Sequence, residues 1–149
     1  MATIYFDMDG TIADFYSVPH WLDYLDRMET TPYELAKPML NFSLFARLLH
    51  AVQAKGNRIG IISALSRTGN ADFHARVKEA KSKWLAQHLP SVSWDEIHFV
   101  PYGSNKTEYA TTEELVMLFD DELGNRTNWV GVSHTPDKIL EVLRYLARP

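Results

Sequence analysis

Cysteine is absent from the 149-residue chain, which excludes a disulfide framework, a zinc knuckle and a thiol nucleophile. Long apolar runs are absent too, and nothing approaches the roughly 18 residues that span a bilayer. The N-terminus has no basic segment and meets an acid at Asp7, so it does not read as a signal peptide. A soluble, cytoplasmic protein with no membrane partner is the expectation. Positive charge is scarce, with 15 Lys and Arg against 19 Asp and Glu and a net charge of −4. Such a balance offers no basic track for a phosphate backbone, so no polynucleotide partner is expected. A small anionic substrate stays open, because local Lys and Arg govern that. The 6 histidines are scattered without a spacing such as His-Glu-x-x-His, and none is assigned to a metal. There is no internal repeat, low-complexity segment or linker, and the length suits one domain with a sizeable core.

What the sequence does contain starts at its first residues. Ile4-Tyr5-Phe6 is a short apolar run that leads into Asp7-Met8-Asp9-Gly10-Thr11-Ile12. A run that short reads as a buried strand, and Gly10 ends it in a turn. Two carboxylates then stand at the carboxyl end of a strand, where open α/β sheets place their ligands. Clustered carboxylates repel one another unless a cation or a shared proton relieves them.

Downstream, strand and helix patterns alternate. Trp21, Leu22, Leu25 and Met28 suit one helix face, with Pro19 and Pro32 as punctuation. Phe42, Leu44, Phe45, Leu48, Leu49 and Val52 suit a second, closed at Gly56. Arg58–Ser63 is a buried-strand candidate, and about 72–89 is a helix closed by Pro90. Further strands are expected at Ile97–Val100, at 114–119 leading into Asp120-Asp121, and at Trp129–Val132, with a closing helix from Pro136 to about Leu146. This alternation predicts an α/β fold with a mainly parallel sheet.

In such a sheet the strand ends share one edge, so Asp7, Asp9, Ser63, Lys106, Asp120 and Asp121 converge from distant parts of the chain. The set matches what cleaving a phosphomonoester requires. One carboxylate serves as nucleophile and a second as acid and then base. Magnesium, an oxygen-seeking ion, offsets the repulsion between nucleophile and phosphate. A lysine and a hydroxyl steady the transferring oxygens. Taken singly, each residue has a plainer reading: an Asp-x-Asp-Gly turn with solvated acids, Ser63 as a helix cap, Lys106 as a solvated lysine.

Taken in order, these residues resemble the motifs of the haloacid dehalogenase (HAD) superfamily. Asp7-Met8-Asp9-Gly10-Thr11-Ile12 is similar to the first motif, Ser63 to the second, Lys106 to the third, and Leu118-Phe119-Asp120-Asp121 to the acidic fourth. The resemblance covers the whole chain. It implies a Rossmann-like three-layer α/β sandwich, with a core of about 1–13 and 56–149 and a small helical cap of about 14–55 after the first strand. It implies that Asp7 is the nucleophile and Asp9 the acid/base. Asp7, Asp120 and Asp121, with the Asp9 carbonyl, would hold Mg2+. Ser63 and Lys106, with Ala64, Gly10 and Thr11 beside them, would bind the phosphoryl group.

The longer string Asp7–Phe15, and Asn125 after the acidic pair, resemble the 5'(3')-deoxyribonucleotidase group, although this chain and its cap are shorter. That narrower likeness implies a nucleoside monophosphate as substrate. Phe15, Tyr16, Trp21 and Phe42, with Tyr24, Tyr33 and Phe45, would offer a surface for the base. Aromatics at helical spacing also suit plain core packing. A general small-molecule or sugar phosphatase, a nucleic-acid-end phosphatase, and a catalytically weak binding protein on the same fold remain the alternatives.

Overall fold

The computed structural model describes residues 1–111 and 115–149. In chain order it contains strand β1 (Ala2–Phe6), the short strand β2 (Ala13–Asp14), helices α1 (Trp21–Asp26) and α2 (Thr31–Leu35), and the short strand β3 (Lys37–Pro38). Helix α3 (Phe42–Ala54), strand β4 (Arg58–Ala64), helix α4 (Ala71–His88) and strand β5 (Glu96–Val100) follow. Strand β6 (Leu115–Phe119), helix α5 (Leu123–Asn128), strand β7 (Val132–His134) and helix α6 (Ile139–Leu146) complete the chain. The strand expected from Glu114 begins on a residue outside the described ones.

The main sheet runs β5-β4-β1-β6-β7, and its pairs are parallel throughout. Burial on both faces explains why β1 and β4 read as nearly continuous apolar runs without alternation. On one face Ile4, Phe6, Ile59, Ile61, Met117 and Phe119 share a cluster with α3, α6 and the C-terminal part of α4. On the other, Tyr5, Ile62 and Leu118 pack with Val100 and Trp129. The result is the expected α/β sandwich around a parallel sheet.

The segment after β1 divides in two. Its first part, with β2 and β3 paired antiparallel, gathers Phe15 and Tyr33 against Phe73, Val77 and Ala80 of α4. The Trp84 indole N–H donates to the Ala36 carbonyl at 2.7 Å and ties this part down. Its second part, α3, packs on α6 and sends Phe45, Leu49 and Val52 into the main core. So the portion of 14–55 that stands over the strand ends is the stretch before α3.

The last strand lies at Val132–His134 and not at the expected Trp129–Val132. Gly131 is the reason. Its φ of +140° breaks the extended chain, and a Cβ there would lie 2.4 Å from the Val116 carbonyl oxygen. Trp129 instead turns its ring edge-on to Tyr5, with centroids 5.8 Å apart.

Candidate active site

The chain leaves β1 outward to β4 and β5 on one side, and later returns to β6 and β7 on the other. The crevice of such a sheet opens at the carboxyl ends of β1 and β6. Register brings the acids there: Phe6 pairs with Phe119, and the Asp7 amide donates to the Phe119 carbonyl at 2.9 Å. Asp7 and Asp120 are therefore neighbours across two strand ends.

After Asp7 the backbone curls tightly, with the Met8 carbonyl accepting from the amides of Thr11, Ile12 and Ala13. The curl carries Asp9 back toward Asp7. Gly10 occupies its corner with φ +80°, and a Cβ there would meet Asp121 Oδ2 at 2.4 Å. Glycine thus allows Asp121 to close on the first turn. The Thr11 hydroxyl donates to Asp7 Oδ2 at 3.0 Å, with Asp121 Oδ1 at 3.3 Å as alternative acceptor. It also accepts from the Asp121 amide at 3.2 Å.

Lys106 is buried, and its amine bridges the strand ends: 2.8 Å to Asp7 Oδ1 and 2.7 Å to Asp120 Oδ2. Asp120 is fully enclosed and also accepts from the Glu122 amide at 2.9 Å and from Asn125 Nδ2 at 3.1 Å. A second buried lysine, Lys81 of α4, donates to Asp9 Oδ2 at 3.0 Å, Ser63 Oγ at 2.7 Å and the Ala64 carbonyl at 2.7 Å.

The electrostatics follow from crowding. Burial, and then the charge of Asp7, push Asp120 up to about 6 and Asp121 up to about 7. Burial also raises Asp9, against the pull of Lys81. The two carboxylates flanking Lys106 outweigh its desolvation and hold its ammonium firmly charged. Four aspartates face two lysines, so the cluster is short of positive charge. Oxygens of Asp7, Asp120 and Asp121 lie within 4.8 Å of one another, close enough to hold one ion. An all-carboxylate oxygen set with that deficit suits a hard divalent cation such as magnesium.

A cleft of about 360 Å³ opens above these acids. Asp7, Asp9, Ala64 and Lys106 line it together with an aromatic and aliphatic group, Phe15, Tyr16, Trp21, Leu22, Leu25 and Tyr33, and with Arg67, Thr68, Tyr102 and Ser104. Arg67 stands over the Tyr102 ring at 5.9 Å. Trp21 packs on Phe15 at 5.5 Å and Tyr16 at 5.1 Å between centroids.

Not every residue singled out in the sequence reaches this cleft. Ser63 is fully buried and its oxygen is engaged by Lys81, while Gly10 and Thr11 lie behind the acids and shape the turn. Phe42 and Phe45 of α3 do not line it, Phe42 packing on Phe45 and on Trp84 of α4. Sequence reasoning misses Lys81, although a signal exists. It follows Val77 by one helical turn and precedes Trp84 and Leu85 on the buried stripe of α4. A charge on such a stripe needs a partner, or must snorkel to solvent.

No family model and no curated protein matches the chain. Among solved structures, the crystal structure of D,D-heptose 1,7-bisphosphate phosphatase from Burkholderia thailandensis is similar, with a TM-score of 0.56 and 13% identity. The match covers 99% of this chain and 100% of that one. At that identity the likeness speaks to architecture: from end to end, the chain has the fold of that phosphatase.

Proposed function

We propose that the chain is a magnesium-dependent phosphomonoesterase that works through an aspartyl-phosphate on Asp7. The observation that carries this reading is the floor of the cleft. A carboxylate held by Lys106 and Thr11 faces an open cavity, with a second carboxylate beside it and two more acids behind. The fold of a known phosphatase supports it.

Asp7 attacks phosphorus in line, forming the O–P bond as the bond to the ester oxygen breaks. Asp9, its carboxyl raised by burial, gives that oxygen a proton. Asp9 then takes a proton from water, which attacks phosphorus and releases phosphate and the Asp7 carboxylate. Lys106 already spends two of its three N–H donors on Asp7 and Asp120, and its third is available to a phosphoryl oxygen. Asp7, Asp120 and Asp121 would hold magnesium, which would supply the positive charge that lets an anionic nucleophile approach an anionic phosphate.

The substrate class we infer is a nucleoside 5'- or 3'-monophosphate, deoxy or ribo. Phe15, Tyr16, Trp21 and Tyr33 and the Arg67–Tyr102 pair, all lining the cleft, suit a flat aromatic group beside the phosphate. A sugar phosphate is the second reading, favoured by the similar structure being a sugar bisphosphate phosphatase.

The test is phosphate release with and without magnesium across nucleoside monophosphates, sugar phosphates and p-nitrophenyl phosphate. Turnover should require magnesium and be fastest with a nucleotide. In Asp7→Asn, which keeps the shape and loses the nucleophile, it should fall by several orders of magnitude. Appreciable turnover by Asp7→Asn would remove Asp7 as nucleophile, and preference for sugar phosphates would select the second reading.

A further inference from the structure

We propose that Lys81 is a positioning residue for this reaction, one that holds Asp9 for proton transfer and does not touch substrate; the inference rests on the phosphomonoesterase reading above. The amine of Lys81 has three N–H donors, and all three are matched. They go to Asp9 Oδ2 at 3.0 Å, Ser63 Oγ at 2.7 Å and the Ala64 carbonyl at 2.7 Å. None is left for a phosphoryl oxygen. Its side chain is 1% exposed and does not line the cleft, in contrast to Lys106, which does. The Tyr33 ring, 5.3 Å from the amine, walls it off from the cavity side.

The three acceptors belong to two different parts of the chain. Ser63 and Ala64 end β4, Asp9 lies in the turn after β1, and Lys81 itself comes from the middle of α4. Lys81 therefore anchors Asp9 to the end of the neighbouring strand. With Oδ2 committed, Asp9 Oδ1 has no protein partner among the described residues and becomes the atom that exchanges the proton with the ester oxygen and then with water. Ser63 enters the chemistry through Lys81 as part of the same anchor. A misplaced acid is costly because proton transfer requires hydrogen-bond contact with the leaving oxygen.

A purely structural lysine would slow every substrate alike when removed. A lysine that positions the acid should matter in proportion to how much the leaving group needs a proton. The experiment compares first-turnover release of the leaving group from an alkyl phosphate and from p-nitrophenyl phosphate, in magnesium, for the wild type and Lys81→Met. The variant should release the alcohol about 100-fold more slowly, within the usual span of general-acid catalysis. Release of p-nitrophenolate, which departs without a proton, should change by less than about tenfold.

Equal losses on both esters, or none on either, would overturn the proposal. If Lys81→Met does not fold, the comparison is Asp9→Asn against Asp9→Asn/Lys81→Met, where no carboxylate is stranded. Equal alcohol release by those two supports action through Asp9, and a further loss in the double variant overturns it. Absence of turnover by the wild type with either ester defeats the phosphomonoesterase reading itself, and this inference with it.

Discussion

Asp7 is shaped by three neighbours of different character, and each controls a different property. Lys106 neutralises one of its oxygens, Thr11 bonds the other, and Asp121 crowds it from behind. Gly10 makes that crowding possible. Gly10→Ala should destabilise the fold by about 1–2 kcal/mol, since a left-handed backbone penalises a Cβ. More specifically, the new methyl pushes Asp121 away from Asp7, and magnesium affinity should weaken. Isothermal titration with magnesium, alongside a chemical denaturation curve, separates the two effects. Unchanged magnesium affinity in a destabilised variant would limit Gly10 to a backbone role.

At the scale of elements, the segment between β1 and β4 carries two kinds of helix. α3 is driven by its apolar stripe into the main core, with Phe45, Leu49 and Val52 fully enclosed. α1 has no buried residue and meets the rest of the molecule through Trp21 and Leu25 at the edge of the cleft. Leu49→Ala should therefore cost about 2–5 kcal/mol of stability and leave kcat/KM alone. Trp21→Ala should cost less stability, raise KM for nucleotides, and spare p-nitrophenyl phosphate. Thermal melts and steady-state kinetics on both variants check this. Periodicity located α1, α3, α4 and α6, because spacing reports which face is apolar, and it gave no expectation of the short helices α2 and α5. It could not tell a stripe that faces the sheet from one that faces a cleft. Both need the same residues, so Phe42 and Phe45 read like Phe15 and Trp21 in the sequence and part company only in three dimensions. Lys81 is the converse case. Its place on the buried stripe of α4 was legible, but its partners lie on β4 and in the turn after β1, which only packing brings together.

For the whole molecule, a net charge of −4 conceals its concentration at one sheet edge. There the folded state raises Asp120 to about 6 and Asp121 to about 7, against an ordinary aspartate value of 3.8. Between about pH 4 and 7 the folded chain then holds more protons at these sites than the unfolded chain. Stability at these two groups is present at low pH and is lost as pH rises through 6 to 7. In chelator, the melting temperature of the wild type should fall across that window relative to Asp121→Asn. Excess magnesium should raise the wild-type melting temperature at pH 7.5, because an ion that binds only the folded state stabilises it, and should raise that of Asp121→Asn much less. A flat difference between the two proteins across the window, in chelator and in magnesium, would dissociate these acids from any cation site. The parallel sheet itself was readable beforehand, since strands buried on both faces leave continuous apolar runs and helices must alternate with them.

What the amino-acid order determined by itself was the inventory and its placement. Apolar runs specified β1, β4, β5 and β6, acids followed directly on β1 and β6, and parallel pairing obliged those ends to meet. That is short-range information, held in residues adjacent along the chain. The tertiary structure decided which side chains turn toward the cleft and which turn behind it. It withdrew Ser63 and Thr11 from the cavity, sent α3 into the core, moved the last strand past Gly131, and delivered a second lysine to Asp9. Those outcomes depend on register and on helix packing across the sheet, where residues tens of positions apart compete for the same few ångströms.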